Sequence, residues 1–324
     1  MTPVPALNVD HVTHRYGERV ALSDLSFQVA AGEMFALLGP NGSGKSTLFR
    51  LISTIMPLQD GQIVVGGFSV RSERDAVRGR IGVLFQNPAL DKQLTVAENL
   101  RCHGHLYGIG GAKLRNRVGE LLERFNLNDR AADRVASLSG GMRRKVELVK
   151  VLIPEPRLLL LDEPSTGLDV AARIELWNLL RETRKSSGMT IAITTHLMDE
   201  ADRCDRIAII DTGKLLAEGS PDELKSRVGG DVITFSGPEM DRLKSQVEQK
   251  MGTPVIRVDD VLRIERHDAH RFVPELIESL PGLIDSISVG RPTLDDVFVH
   301  ITGRRLLRAS DEASREPSRR SRHG

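Results

Sequence analysis

The sequence predicts an α/β protein, a mainly parallel sheet flanked by helices with a smaller α/β domain after it. Three observations lead there. Residues 35–53, FALLGPNGSGKSTLFRLIS, are an apolar strand that breaks into a glycine-rich turn and re-emerges as a helix. RLLLLD (157–162) and MTIAITT (189–195) are short, nearly continuous apolar runs, as expected of parallel strands buried on both faces. After Gly229-Gly230 the alternation of strand and helix patterns begins again.

Composition bounds the function. At 324 residues and 35.7 kDa the chain can hold one domain of roughly 220 residues and a smaller one. Lys+Arg 45 against Asp+Glu 44 leaves a net charge of +1, so no global field draws it to nucleic acid, and no nucleic-acid partner is expected. Cys102 and Cys204 lack a metal-ligand spacing and read as two thiols in a reducing compartment. The start, MTPVPALNVDHV, has neither a basic nor an apolar leader segment, and nowhere do eighteen apolar residues run together, so neither a secretory leader nor a membrane span is expected.

LNVDHVTHRYG and VALSDLSFQV alternate as antiparallel strands, with turns at Gly17-Glu18 and Ala31-Gly32. Tyr16 is either a half-buried strand tyrosine or a ring that stacks on a base, worth about 0.5–1.5 kcal/mol beyond area burial. The phosphate cradle follows. Gly39, Gly44, Lys45 and Ser46 satisfy G-x-x-x-x-G-K-[ST], and the backbone N–H groups of Gly39, Pro40-Asn41-Gly42-Ser43, Gly44 and Thr47 belong to a loop that wraps nucleotide phosphates, proline lacking a donor. Gly42 and Gly44 allow dihedrals and a close approach that a Cβ would block, and a helix opening at Ser46 or Thr47 turns its free N–H groups to the anion. Lys45 reaches the β/γ-phosphates and the Ser46 hydroxyl can ligate Mg²⁺. The helix is expected to run to about Met56, before Pro57 and the Asp60-Gly61 turn, with a strand from Ile63.

IGVLFQ (81–86) is a buried strand that ends in Gln86, which is either a surface glutamine or, with Asn87-Pro88 after it, part of a loop that touches metal or water at a γ-phosphate. Residues 94–136 turn helical, with Val118, Leu121, Leu122 and Phe125 in register, as an insertion into the α/β core. His103 and His105, two apart, face different sides and read as solvated. Ser139-Gly140-Gly141 opens the helix MRRKVELVKVLI as a second anion site or a simple serine cap. Two phosphate turns are redundant in one active site, so the second points to a nucleotide held elsewhere. Asp162 ends a buried strand as an expected partner of Mg²⁺, and Glu163 beside it can polarise an attacking water. VAARIELWNLLRETR is a helix with Ile174, Trp177 and Leu180 toward the core. His196 stands at the carboxyl end of the next strand, where ligands of open α/β sheets bind. A hairpin around Asp211-Thr212-Gly213 and a capping box at Ser220-Pro221-Asp222-Glu223 close the first domain near 228–230.

Beyond it, strands are expected near 232–236, 254–258, 261–266 and 284–289, with helices near 272–280 and from Thr293. Thr293 and Asp296 start that last helix, whose Leu294, Val297, Phe298 and Ile301 form a stripe to be covered by its own sheet, the first domain or a second copy. Residues 306–324 lack apolar patterning and are expected to be a disordered, solvated tail.

Taken together, GPNGSGKST, Gln86, LSGGM, LLLLDEP, STGLD and His196 resemble, in order and spacing, the ATP-binding-cassette ATPases over residues 7–228. The resemblance implies a P-loop NTPase fold: a RecA-like core with an antiparallel β subdomain, a helical subdomain about 89–156, and a small C-terminal accessory or regulatory α/β domain at 231–305. It implies ATP and Mg²⁺, and a nucleotide-dependent homodimer in which Ser139-Gly140-Gly141 of one copy covers the γ-phosphate in the other's P-loop. By the same resemblance Tyr16 stacks on adenine, Gln86 couples Mg²⁺ and water to the membrane partner, Asp162 supports Mg²⁺, Glu163 is the base, Asp169 crosses the dimer seam and His196 contacts the γ-phosphate. Met142 replaces the family's commonest glutamine. With Arg143-Arg144, PALDKQLTVAENL and GRPTLDDVFVHITGR, it is similar to the daunorubicin-type drug-export branch. That implies an energy-coupling subunit, peripheral to the cytoplasmic face of the membrane, driving a separate integral permease. An importer ATPase with a regulatory C-terminal domain and a soluble cassette acting on ribosomes or DNA are the alternatives; the PTLDDVF ending, the single cassette and the lack of heptads weigh against them.

Overall fold

The computed structural model describes residues 4–87, 89–303 and 306. The described residues pack as two compact units, one within residues 1–195 and 204–215, the other within 196–203 and 216–324.

In the first unit, β1 (Leu7–Tyr16), β2 (Arg19–Val29), β4 (Asp60–Val65) and β5 (Phe68–Ser69) form an antiparallel sheet in the order β2-β1-β4-β5. Its alternating residues Leu7, Val9, Val12, Leu25, Phe27 and Val29 are buried in one apolar cluster with Phe35, Leu37, Leu48 and Ile52. A second sheet has the order β10-β9-β3-β8-β7-β6, built from β3 (Met34–Leu38), β6 (Ile81–Leu84), β7 (Leu158–Asp162), β8 (Thr190–Thr195), β9 (Arg206–Asp211) and β10 (Lys214–Gly219). Every residue of β3, β7 and β8 is buried, which is why these runs are apolar without alternation. Their parallel register sets Leu38 beside Thr195 and Asp162 beside Thr194, so the chain leaves both β3 and β7 at the same edge of the sheet.

The helices of this unit are α1 (Lys45–Ile52), α2 (Arg74–Arg78), α3 (Val96–Leu106), α4 (Gly111–Arg124), α5 (Gly140–Leu152) and α6 (Val170–Ser187). A Thr95/Glu98 capping box starts α3, and α3, α4 and α5 pack on one another, with Leu100, Leu114, Val118, Leu121 and Leu148 buried, as the expected helical insertion.

Local expectations needed correction. Helix α1 opens at Lys45 rather than at Ser46 or Thr47, and ends at Ile52 rather than Met56, because Ser53 caps it and Thr54 turns left-handed at φ +60°. Strand β6 stops at Leu84, leaving Phe85 and Gln86 outside it. Ile174 is 48% exposed while Trp177 and Leu180 are buried, so the inward face of α6 is narrower than its periodicity implied. His103 is half-buried against the Tyr107 ring rather than solvated, whereas His105 is exposed.

The second unit holds α7 (Met198–Ala201), α8 (Pro221–Ser226), α9 (Met240–Met251), α10 (Ala269–Ser279) and α11 (Leu294–Thr302). Its sheet, in the order β12-β13-β11-β14, comprises β11 (Asp231–Ser236), β12 (Ile256–Val258), β13 (Val261–Arg266) and β14 (Ser286–Gly290). Helix α9 has no counterpart in the expected elements, since its apolar residues are sparse: only Leu243 and Val247 are buried. They join Ile233, Phe235, Leu262, Ile264, Phe272 and Leu276 in a core. Alternation along β13 turns Arg263 away from that core. Its buried guanidinium donates to Asp296 at 2.7 Å and Glu265 at 2.9 Å. Leu294, Val297 and Phe298 of α11 are buried, and α11 packs against α8 as well as the Arg263 side of the sheet. The helix stripe is therefore covered by more than its own sheet. Of the 306–324 tail only Leu306 is described, and it is buried; the rest lies outside the described residues.

Candidate active site

The turn between β3 and α1 forms a ring around one ammonium group. Lys45 Nζ donates to the carbonyls of Gly39 at 2.7 Å and Pro40 at 2.9 Å, and lies 3.8 Å from Glu163 Oε1. Burial pulls the Lys45 pKa down, while Glu163 and then Asp162 hold it up. Gly42 (φ +78°) and Gly44 (φ +103°) take left-handed dihedrals. Gly39 is needed for space instead: a Cβ there would stand 2.1 Å from the Ile210 carbonyl oxygen. Gly213 N–H donates to Ser43 O at 3.0 Å, buttressing the turn from the β9–β10 side.

Two carboxylates converge on this ring from the end of β7. Asp162 is buried, and its Oδ1 accepts hydrogen bonds from Ser46 Oγ at 3.1 Å and Thr194 Oγ1 at 2.5 Å. Glu163 adopts φ +46°, a left-handed conformation that costs a non-glycine residue on the order of 1 kcal/mol and persists only where neighbours over-determine it. Here its N–H donates to both Thr194 O (3.1 Å) and Thr194 Oγ1 (3.0 Å), its carbonyl accepts from Arg144 (3.3 Å), and Thr166 Oγ1 donates to Oε2 (3.2 Å).

A cleft of about 400 Å³ opens over these groups, lined by Tyr16, Lys45, Ser46, Thr47, Gln86 and Glu163 together with loop residues Asn41, Gly42 and Gly44. Tyr16, 45% exposed, offers a ring at its rim; His14 meets that ring edge-on, with centroids 4.9 Å apart, and Tyr16 Oη donates to Met56 Sδ at 3.3 Å. Arg19 and Arg50 also line it, so with Lys45 three cations face the single Glu163 carboxylate, a balance suited to phosphates. The oxygen donors Ser46 Oγ, Asp162 Oδ1 and Gln86 fit Mg²⁺, an oxygen-seeking ion bound through one or two carboxylates together with waters and substrate phosphates. Among the described residues no cluster of three or more His, Cys, Asp or Glu could hold a metal by itself.

The sequence singled out most of this site but not Arg19, Arg50, Thr194 or Gly213. Arg50 was detectable, four residues after Ser46 on the same helix face, and Arg19 as the partner of Tyr16 across the β1–β2 hairpin; Thr194 and Gly213 are brought in by pairing with distant segments. Pro40 and Ser43 serve the loop through their backbone carbonyls rather than the cleft, and buried Ser43 closes toward Pro40 O through its N–H. His196 directly follows β8 and is half-buried. Ser139, Gly140 and Gly141 do not line the cleft. They start α5, where Ser139 Oγ accepts from Met142 N at 3.2 Å and Gly140 has no atom within 4 Å of where its Cβ would be. Asp169 caps α6 by accepting from Ala172 N at 2.8 Å. A further cleft of about 280 Å³ near Arg117, Arg124 and Arg157 lies at the amino ends of β7 and β8, away from these groups, and Arg117 and Arg124 already bond Leu152 O and Ser186.

Residues 22–166 match the ABC transporter family. A daunorubicin resistance ATP-binding protein of Streptomyces coeruleorubidus is 40% identical over 309 residues, covering 92% of this chain and 96% of that protein. The chain belongs to the ABC transporter ATP-binding proteins. A Nod factor export ATP-binding protein I of Bradyrhizobium diazoefficiens is 39% identical over 304 residues, covering 93% and 97% of the two chains. Among solved structures, CbiO1 of Clostridium perfringens, part of an ABC transporter complex, superposes with a TM-score of 0.64 at 27% identity over 76% of this chain and 96% of that one. An ATP-binding subunit of an ABC transporter does so at 0.62 and 32% identity, over 68% and 92%. The expected cassette fold is borne out, and this ABC protein is an ATPase whose activity is coupled to transport.

Proposed function

We propose that this ABC ATPase powers an exporter of daunorubicin-like hydrophobic compounds from the cytoplasmic face of the membrane, working on a separate permease as a nucleotide-dependent homodimer. The cargo class rests on the 40% identity to the daunorubicin resistance protein, which extends over nearly the whole length of both chains. Nod factor export relatives at 39% identity favour a second cargo reading on the same footing. Among the described residues no helix is long and apolar enough to cross a membrane, and the reading assigns that task to the permease.

The observation that carries the mechanism is the separation of the two glycine turns. The Lys45 cradle lines the cleft, whereas Ser139-Gly140-Gly141 begins α5 elsewhere with free space beside Gly140. In the proposed dimer that turn caps the γ-phosphate in the partner's cradle, and Asp169 with the exposed Val170 (72%) and Ile174 (48%) lies along the seam. Adenine stacks on Tyr16, the loop amides and Lys45 hold the phosphates, and Ser46, Asp162 and Gln86 would hold Mg²⁺. When bound, Mg²⁺ neutralises phosphate charge. Glu163 accepts the proton of the water attacking the γ-phosphorus, His196 steadies the γ-phosphate, and ADP and inorganic phosphate leave. A smaller cleft, of about 190 Å³ and lined by Ile55, Phe85, His103 and Tyr107, flanks the Gln86 loop and suits an apolar permease segment. The C-terminal domain, 231–305, serves assembly or regulation, since no phosphate turn or ligand cluster occurs among its described residues.

Inverted membrane vesicles containing the chain and its permease test this. ATP-dependent daunorubicin uptake that is lost in Glu163→Gln is expected. Uptake of Nod factor alone would replace the cargo class, and ATP hydrolysis without movement of either would refute it.

A further inference from the structure

We infer that Arg144 and Glu147 are positioning residues that lock the Gln86 loop and the Glu163 turn to α5, the helix whose amino end is Ser139-Gly140-Gly141. The inference rests on the reading above, in which Glu163 is the base and that glycine turn serves the partner's nucleotide.

One guanidinium spans two segments far apart in sequence. Arg144 Nε donates to Pro164 O at 2.8 Å, Nη2 to Glu163 O at 3.3 Å, and Nη1 to Phe85 O at 3.0 Å. Nη1 also meets Glu147 Oε2 at 3.1 Å, one turn along α5. The other Glu147 oxygen, Oε1, accepts the Ala89 N–H at 2.7 Å, and Lys150, a further turn on, donates to Ala89 O. Three successive turns of one helix therefore hold the loop around Gln86 at both ends, at Phe85 and at Ala89. The same arginine holds the carbonyl of Glu163, whose N–H is held from the opposite side by Thr194.

This arrangement is more than a buried ion pair. Arg144 and Glu147 are both buried, and an arginine fork with five donors can satisfy several carbonyls at fixed angles, which a lysine cannot. A displacement of α5 when its glycine turn engages the partner's nucleotide must be carried to Gln86 and to the Glu163 backbone, because the interior that joins them is close-packed. Arg144, two residues after Met142, thereby acquires a use that the cleft alone does not reveal.

The test compares the full-length wild type with Arg144→Lys and with the double variant Arg144→Met/Glu147→Leu. Removing both charges strands neither, although it leaves the Phe85, Glu163 and Pro164 carbonyls without this donor at a cost in stability, and Arg144→Lys retains the charge should the double variant not fold. Hydrolysis is expected to fall about 10²-fold in kcat, the usual consequence of misplacing catalytic groups by about 1 Å, with the ATP Kd within about threefold of wild type. Amide exchange at Ala89 is expected to accelerate in the double variant, which removes its acceptor. A folded variant with wild-type kcat overturns the inference, as does a loss of ATP affinity that accounts for the whole loss of rate. Wild-type protein without ATPase activity would instead overturn the underlying reading, and this inference with it.

Discussion

Gly140→Asp separates the two glycine turns most cleanly. At Gly140 an added Cβ meets nothing within 4 Å, whereas at Gly39 it would stand 2.1 Å from a carbonyl oxygen. The fold therefore accepts the aspartate. Gly140 is the first residue of α5, where an acidic side chain interacts favourably with the helix dipole by about 0.3–1 kcal/mol, so the melting temperature should hold or rise slightly. ATP titration of the monomer should be unchanged because the residue does not line the cleft. In a head-to-tail dimer the same carboxylate faces phosphate: two unit charges about 4 Å apart at an effective dielectric near 20 repel by about 4 kcal/mol, close to a thousandfold in dimerisation for each of the two composite sites. Light scattering with ATP and a steady-state phosphate-release assay read the effect. A mixture with Lys45→Ala protein should recover part of the activity, since one composite site in the heterodimer is intact. Undiminished ATP-driven dimerisation of Gly140→Asp alone would refute the reasoning.

Other outcomes follow from the same structure. Burial pushes the His103 pKa down to about 4 from its ordinary 6.5, with Lys150 adding to the effect. The unfolded chain then takes up the proton first as pH falls, so stability is full above pH 6.5 and declines toward pH 4, by at most about 3 kcal/mol. Denaturant titrations should show that decline reduced in His103→Phe, and an identical decline would contradict the assignment. Arg263→Ala leaves Asp296 Oδ1 and Glu265 Oε1 without their donor, while Thr293 and His300 keep the other oxygens, and should destabilise the second unit by about 1.5–3 kcal/mol; an unchanged melting profile would be inconsistent with this. Truncation after Gly230 should leave ATP affinity within a few-fold, yet it strips α11 from α8 and should promote aggregation. Failure of the folded truncation to bind ATP would show that the cradle depends on the C-terminal residues.

The site was legible in the sequence wherever chemistry and local geometry coincide. G-x-x-x-x-G-K-S specifies a turn, an ammonium and a hydroxyl within eight residues, and the apolar RLLLLD run announces a buried carboxylate at its end. What stayed hidden is held together by residues far apart in sequence. Thr194 reaches Asp162 because β7 and β8 pair in parallel register, and Arg144 reaches Phe85 because α5 crosses the end of β6; neither distance has a period. Helix limits failed for local reasons, since Thr54 is left-handed although nothing about threonine requires it. Ile174 kept its helical spacing but faces outward, which only the width of the buried face of α6 decides.

The central claim is that Glu163 is the base in a cleft assembled around Lys45, and Glu163→Gln tests it most directly. The amide keeps the shape but cannot accept the water's proton. It also withdraws a charge 3.8 Å from the Lys45 ammonium, so that lysine is left to the phosphates. The measurement is ATP hydrolysis under single-turnover conditions alongside equilibrium ATP binding. The account predicts a rate reduced by about 10²–10⁴-fold, or about 3–5 kcal/mol in the barrier, with binding equal to or tighter than wild type and an ATP-bound dimer that persists. Hydrolysis at a near wild-type rate would contradict it.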